Sequence, residues 1–322
     1  MSLRLADRWL WDFWIVRDRS TYHLFFLQAP RALGDPELRH WNASVGHAVS
    51  TDLRTWDLLS DALRPGPAGS WDDYTTWTGS TIRDGDRWVM LYTGTSHAEK
   101  GLVQRIGLAE SNDLVEWRRH SANPVLEADP RRYETLDLEL WHEEAWRDPW
   151  FHRDGDSTLY ALLTARARVG PPGGRGVIGL ARATSPDRWE VLDPIVGPAG
   201  HGHLEIPQLL RMGDRWCLLF SAPPLGDGTG RLDPGDPRRF GGTHFLLAHE
   251  PLGPFDWETQ GVLLADRAET WYGAKLIEGP DGRLVCLAWL NRDSEGRFLG
   301  ELSDPMNVEV DAVTGPRIIQ DP

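Results

Sequence analysis

One pattern recurs five times along these 322 residues, and self-similarity at a fixed period settles architecture before any single residue can. Part of the pattern is a small apolar strand, a Ser/Asp turn and a tryptophan: GHAVSTDLRTWDLL (46–59), IGLAESNDLVEWRRH (106–120), IGLARATSPDRWEVL (178–192) and FLLAHEPLGPFDWETQ (245–260). A weaker fifth copy is FLGELSDPMNVEVD (298–311), where Val308 takes the tryptophan place. Trp56, Trp117, Trp189 and Trp257 share one slot, which marks them as packing residues. The other part precedes each copy as a short strand, a tight polar turn and an apolar strand: WDFWIVRDRSTYHLFFL (11–27), TGSTIRDGDRWVMLYTG (78–94), DPWFHRDGDSTLYALLT (148–164), EIPQLLRMGDRWCLLFS (205–221) and YGAKLIEGPDGRLVCLAW (272–289). Turn pairs such as Asp84-Gly85 and Asp154-Gly155 between apolar runs are hairpin signals.

Each unit supplies four strands, and the starts at 12, 78, 148, 205 and 272 lie 66, 70, 57 and 67 residues apart. No stretch sustains a helical period. Four antiparallel strands repeated five times predict an all-β, five-bladed β-propeller closed around an axis, a closure that protects sheet edges from aggregation. A β-sandwich would not produce a recurring unit of this length. The expected organisation is one catalytic domain over 1–322, with blades at about 9–60, 76–120, 146–193, 203–261 and 270–312.

In a propeller the first strand of each blade lines the central channel, so the five strand starts converge at one end. Position 12 is Asp, 148 is Asp and 205 is Glu, at starts where strand propensity disfavours Asp. The plainer reading is three turn-forming acids in solvent, but Trp, Pro and apolar residues flank all three. Two carboxylates astride a glycosidic bond are what its hydrolysis needs, one as acid and then base, the other attacking the anomeric carbon or activating water. A third can orient sugar hydroxyls. Seventeen tryptophans fit stacking on sugar faces, although the repeats assign about half to packing.

The motifs resemble glycoside hydrolase families 32 and 68, the β-fructofuranosidases, inulinases, levanases and levansucrases. WDFW (11–14) is similar to their blade-one nucleophile motif, in the Trp-Asp form of family 68 rather than the Asn-Asp-Pro form of family 32. YHLFFLQAP (22–30), HWNASVGHAVSTDLRTW (40–56), WTGST (77–81), WRDPW (146–150) and LEIPQL (204–209) follow in family order at blade spacing. The resemblance implies that Asp12 is the nucleophile of a retaining mechanism, Glu205 the acid/base, and Asp148, beside Arg147, the residue binding ring hydroxyls. It also implies subsite roles for Gln28, Trp41, Trp77, Ser80, Arg147 and Tyr272. Family 32 members usually carry a C-terminal β-sandwich; here the fifth blade runs to about 311 of 322 residues, and no such module is expected. Thr78 stands where Ser is usual. Two further readings stay open: an inverting family 43-like arabinofuranosidase or xylosidase, and a non-catalytic sugar-binding propeller.

A formal net charge of −14 argues against nonspecific nucleic-acid binding, which needs basic phosphate contacts, and no apolar run is long enough to span a membrane. The expected partner is a small oligosaccharide, with oligomeric state undetermined. No signal-peptide layout opens the chain, so a cytoplasmic location is expected. Cys217 and Cys286 lack metal spacing and read as buried thiols. No histidine pair forms a zinc pattern; His201 and His203 precede Glu205 and are candidates for substrate contact, with solvated or core roles the simpler reading. No cofactor or catalytic metal is expected. A structural calcium stays open at Asp72-Asp73 or Glu143-Glu144, which read first as solvated loops. PPGGRG (171–176) lacks the setting of a phosphate loop.

Overall fold

A computed structural model of the chain describes residues 3–185, 187–225, 232–233 and 235–319. It is an all-β, five-bladed propeller. Blade one comprises β1 (Arg8–Asp18), β2 (Thr21–Pro30), β3 (Ser44–Ser50) and β4 (Asp57–Leu58); blade two, β5 (Thr75–Asp84), β6 (Arg87–Thr95), β7 (Arg105–Ser111) and β8 (Arg118–Arg119). Blade three comprises β9 (Trp146–Arg153), β10 (Leu159–Arg166), β11 (Gly176–Ser185) and β12 (Arg188–Val196); blade four, β13 (Glu205–Met212), β14 (Arg215–Ala222), β15 (Gly241–Ala248) and β16 (Gly261–Asp266). Blade five comprises β17 (Trp271–Glu278), β18 (Leu284–Arg292), β19 (Phe298–Leu302), β20 (Met306–Asp311) and β21 (Gly315–Ile318). Each of the first four blades is a simple antiparallel meander. In blade five the third position is divided: β19 and β20 both pair with β18, and β21 takes the outer edge.

Apolar residues from adjacent blades interlock into successive inter-blade cores. Trp117 of blade two meets Phe25 of blade one edge-on, Trp189 joins the core between blades two and three, and Trp257 joins the core between blades three and four. Val308 occupies the corresponding place against the core between blades four and five, so the shared slot is a wedge between blades. Cys217 and Cys286 are buried free thiols in that same core.

Every inner strand carries a bulge at the same height. The register slips between Trp11 and Phe13, and between Trp77 and Gly79. On β9, β13 and β17 two residues oppose one on the partner strand: Asp148-Pro149, Ile206-Pro207 and Gly273-Ala274. The extra residue re-aims its side chain out of the ladder. The equivalent positions are therefore 12, 78, 148, 206 and 273. This corrects the spacing inferred from sequence by one residue in blades four and five: Glu205 and Tyr272 stand in the place of Trp11, Trp77 and Arg147.

Backbone at four of these five bulges is left-handed, with φ of 24° at Asp12, 56° at Asp148, 51° at Ile206 and 60° at Gly273. Non-glycine residues adopt this region at a cost, and it persists where surrounding contacts enforce it. A recurring hydroxyl does so here. Thr93 Oγ1 accepts the Asp148 N–H at 3.1 Å, Thr164 Oγ1 the Ile206 N–H at 3.3 Å, and Ser221 Oγ the Gly273 N–H at 3.2 Å. Thr93, Thr164 and Ser221 occupy one slot on the second strand, opposite residues 77, 147 and 205.

Candidate active site

The bulges turn three carboxyls from three blades onto one cavity of about 450 Å3, within the range of small-ligand sites. Asp12 comes from β1, Asp148 from β9 and Glu205 from β13, with Trp11, Trp41, Trp77, Thr78 and Ile206 completing much of the wall. Asp148 is nearly inaccessible, and its Oδ2 accepts from Thr164 Oγ1 at 2.8 Å and from the Ile206 N–H at 3.2 Å. Glu205 is more open than Asp148, its side chain a quarter exposed. Arg147 donates to its Oε1 at 2.7 Å and the Tyr272 hydroxyl to its Oε2 at 2.5 Å. Trp289 Nε1 donates to Asp12 Oδ1 at 3.0 Å.

The charge balance is uneven. Arg147 lies against Glu143, Glu205 and Asp148, at 2.8, 2.7 and 3.6 Å, and these anions hold its guanidinium firmly protonated. Asp12 has no such partner. Burial, and then the negative charges of Asp148 and Glu205, push its pKa up to about 8, against weaker opposing effects of Arg39 and the Trp289 bond. Burial first, and then nearby Arg147, keep His203 and His40 neutral, His40 being pushed down to about 3 with Arg39 also contributing. Burial and the anionic Glu205 keep the Tyr272 phenol protonated, hence a donor.

Of the residues nominated from sequence, Asp12, Asp148, Glu205, Arg147, Trp41 and Trp77 line this cavity. Tyr272 is buried and reaches it through Glu205. Trp77 is fixed by its indole N–H donating to the His40 carbonyl at 2.8 Å, and Trp41 stacks on Tyr74. Two nominations fail. Gln28 lies outside the cavity, donating to Asp61 at 2.8 Å and more weakly to Ser44 at 3.4 Å; its neighbour Leu27 faces the cavity, and alternation along a strand turns Gln28 away. Ser80 sits below the bulge, where its hydroxyl accepts the Phe151 N–H at 3.0 Å and ties blade two to blade three.

Other residues complete the site. Glu143, read as a solvated loop acid, is largely buried on the cavity wall, bonded by Gln104 and Arg147 and 3.4 Å from His203 Nε2. His203 itself lines the cavity, as do His40 and His142. Asp72, the other acid read as solvated, is buried and accepts from Tyr92 at 2.9 Å and Arg119 at 2.7 Å. Among the described residues, no three His, Cys, Asp or Glu side chains have metal-holding geometry.

Comparison with known proteins identifies the family and the fold. Residues 14–322 match the profile of "Glycosyl hydrolases family 32 N-terminal domain"; Asp12 lies two residues before the matched stretch. A fructan 6-exohydrolase of Triticum aestivum is 32% identical over 205 residues, which cover 61% of this chain and 31% of that protein. The chain therefore spans about a third of that relative's length. Two solved structures share the fold: a family 32 β-fructofuranosidase of Bombyx mori, with a TM-score of 0.73, 21% identity, and coverage of 99% of this chain and 64% of that one, and an inulosucrase of Halalkalicoccus jeotgali bound to kestose, with 0.76, 22%, 98% and 87%.

Proposed function

The chain belongs to glycosyl hydrolase family 32, and from that premise we propose that it cleaves fructofuranosides, by hydrolysis or fructosyl transfer, through a retaining double displacement. In this reading Asp12 attacks the anomeric carbon. Glu205 protonates the departing oxygen, then takes a proton from water or an acceptor hydroxyl. Asp148, held by Thr164 and the Ile206 amide, accepts from ring hydroxyls as positive charge develops at the sugar. The wheat relative is named for fructan exohydrolysis and the inulosucrase was solved with kestose, which supports a fructosyl unit as the group transferred.

The observation that carries the proposal is the convergence of three carboxyls from three blades on one cavity. A double displacement begins with one proton on the acid and none on the nucleophile. The rise of Asp12 to about 8 keeps a proton in the coupled group at neutral pH. Arg147 and Tyr272 both donate to Glu205. Substrate oxygens competing for those donors shift the proton toward Glu205 as Asp12 ionises.

The test is turnover of sucrose, 1-kestose and nitrophenyl furanosides by purified protein, with product anomers followed by NMR. Fructose release with retained configuration is expected, and Glu205→Gln should lower kcat on sucrose by about 10²-fold or more. Sugar binding without turnover in either form would mark a binding propeller, and inverted product would remove the nucleophilic role from Asp12.

A further inference from the structure

Beneath the carboxyl cavity the channel holds a lysine that the reaction as described does not use. Lys275, on β17, is 3% exposed. Its Nζ donates to the Ile206 carbonyl at 2.6 Å and lies 3.3 Å from the Pro207 carbonyl, and it sits 5.4 Å from the centre of the Trp150 ring. Among the described residues no carboxylate pairs with it, and a buried ammonium held by carbonyls and an aromatic face is costly to keep. Its acceptor is the left-handed residue whose N–H binds Asp148 and whose side chain forms part of the cavity wall. One residue earlier in the chain is Glu205.

We propose that Lys275 is a positioning residue for glycosyl transfer: its ammonium clamps the carbonyl of Ile206 from below, so that the amide of Ile206 stays on Asp148 and Glu205 stays aimed at the reacting centre. The idea rests on the fructosidase reading above for its catalytic consequence, but the clamp itself is independent of it. Asp148 on β9 and Asp12 on β1 are the nearest anions felt by the ammonium. Arg17 on β1 and Glu278 on β17 border the lower cavity of about 340 Å3 beside it, and pair with each other at 3.1 Å. From β13 it meets backbone carbonyls, with the neutral Gln208 also bordering that cavity. Burial lowers the pKa of Lys275 to about 7 against the raising effects of Asp148 and Asp12.

The test replaces Lys275 by Met, which keeps length and removes every donor, and by Arg, which keeps cation and donors and can extend into the adjoining cavity. Two readouts are taken: hydrogen exchange at the Ile206 amide, which requires no activity, and steady-state kinetics on sucrose. Lys275→Met should exchange Ile206 about tenfold faster or more, because the bond to Asp148 loosens. Its kcat should fall about tenfold or more with KM within about threefold, as expected for a misplaced catalytic group. Lys275→Arg should restore kcat to within about threefold of the parent. A folded methionine variant with unchanged exchange overturns the clamp. Faster exchange with unchanged kcat, in a parent that turns over sucrose, overturns the catalytic part alone. If the parent has no turnover, the function proposed above fails while the exchange result still decides the clamp. If neither variant folds, Lys275 serves stability, and the positioning role is overturned.

Discussion

Asp12 shows how far one residue's chemistry departs from its composition. The native carboxyl keeps its proton up to about pH 8, whereas an unfolded aspartate releases it near pH 3.9. Between those values the native state binds more protons, so Asp12 subtracts increasingly from stability as pH rises through that window. Asp12→Asn removes the titration and should raise Tm, with a larger gain at pH 8 than at pH 5; an equal gain at both would show that the native carboxyl titrates normally. The same variant should abolish turnover. Asp12, Asp148 and Glu205 were legible in the sequence because acids at strand starts flanked by apolar residues are unusual. Glu143 and His40 were not, because they come from connections between strands, whose course over the cavity follows no periodicity. Trp289 carried a signal in retrospect: it occupies the slot that holds Thr93, Thr164 and Ser221 in the other blades.

At the scale of the strand, the recurring bulge governs the site. An unbulged inner strand would alternate its side chains regularly, and the bulge re-aims the one at channel height. Arg147-Asp148-Pro149 and Glu205-Ile206-Pro207 share the proline, and aligning on it places Glu205 beside Arg147 rather than Asp148; matching acid to acid concealed that offset. Blade five meets the strain with Gly273, whose φ is 60°, and a Cβ added there would lie 2.7 Å from Trp289 Nε1. Gly273→Ala should therefore cost about 1–3 kcal/mol in urea denaturation and lower kcat by displacing the Trp289 donor from Asp12. Gly155→Ala, in a turn where an added Cβ meets nothing within 4 Å, should stay within about 0.5 kcal/mol of the parent. Equal losses at the two positions would mean that the bulge conformation is not what Gly273 supplies.

Across the whole molecule, the ring must close between blade five and blade one. Leu302 N–H donates to the Leu3 carbonyl at 3.0 Å, Arg31 donates to the Leu299 carbonyl at 3.1 Å, and the Tyr22 hydroxyl donates to the Glu278 carbonyl at 2.9 Å. Trp9 and Phe298 pack edge to face across the same seam. Because Asp12 lies in blade one while its donor Trp289, and the Tyr272 that donates to Glu205, lie on blade five, closure of the ring and the geometry of the carboxyl cavity are one requirement. Leu302 is fully buried there, and Leu302→Ala should cost about 2–5 kcal/mol, read as a lower denaturant midpoint with kcat falling before the main transition. Loss of stability with kcat preserved up to the transition would separate the seam from the site.

By itself the sequence determined the repeat, the strand count per blade, the wedge tryptophans and the three acids, since each is written in local periodicity and residue type. Only the tertiary structure decided which side chains face the cavity and which protons they hold. Alternation along β2 turns Gln28 away from the cavity, and Ser80 lies below the β5 bulge, tied to blade three. Protonation depends on burial and on charges brought together from blades more than a hundred residues apart, and those distances exist only once the ring has closed.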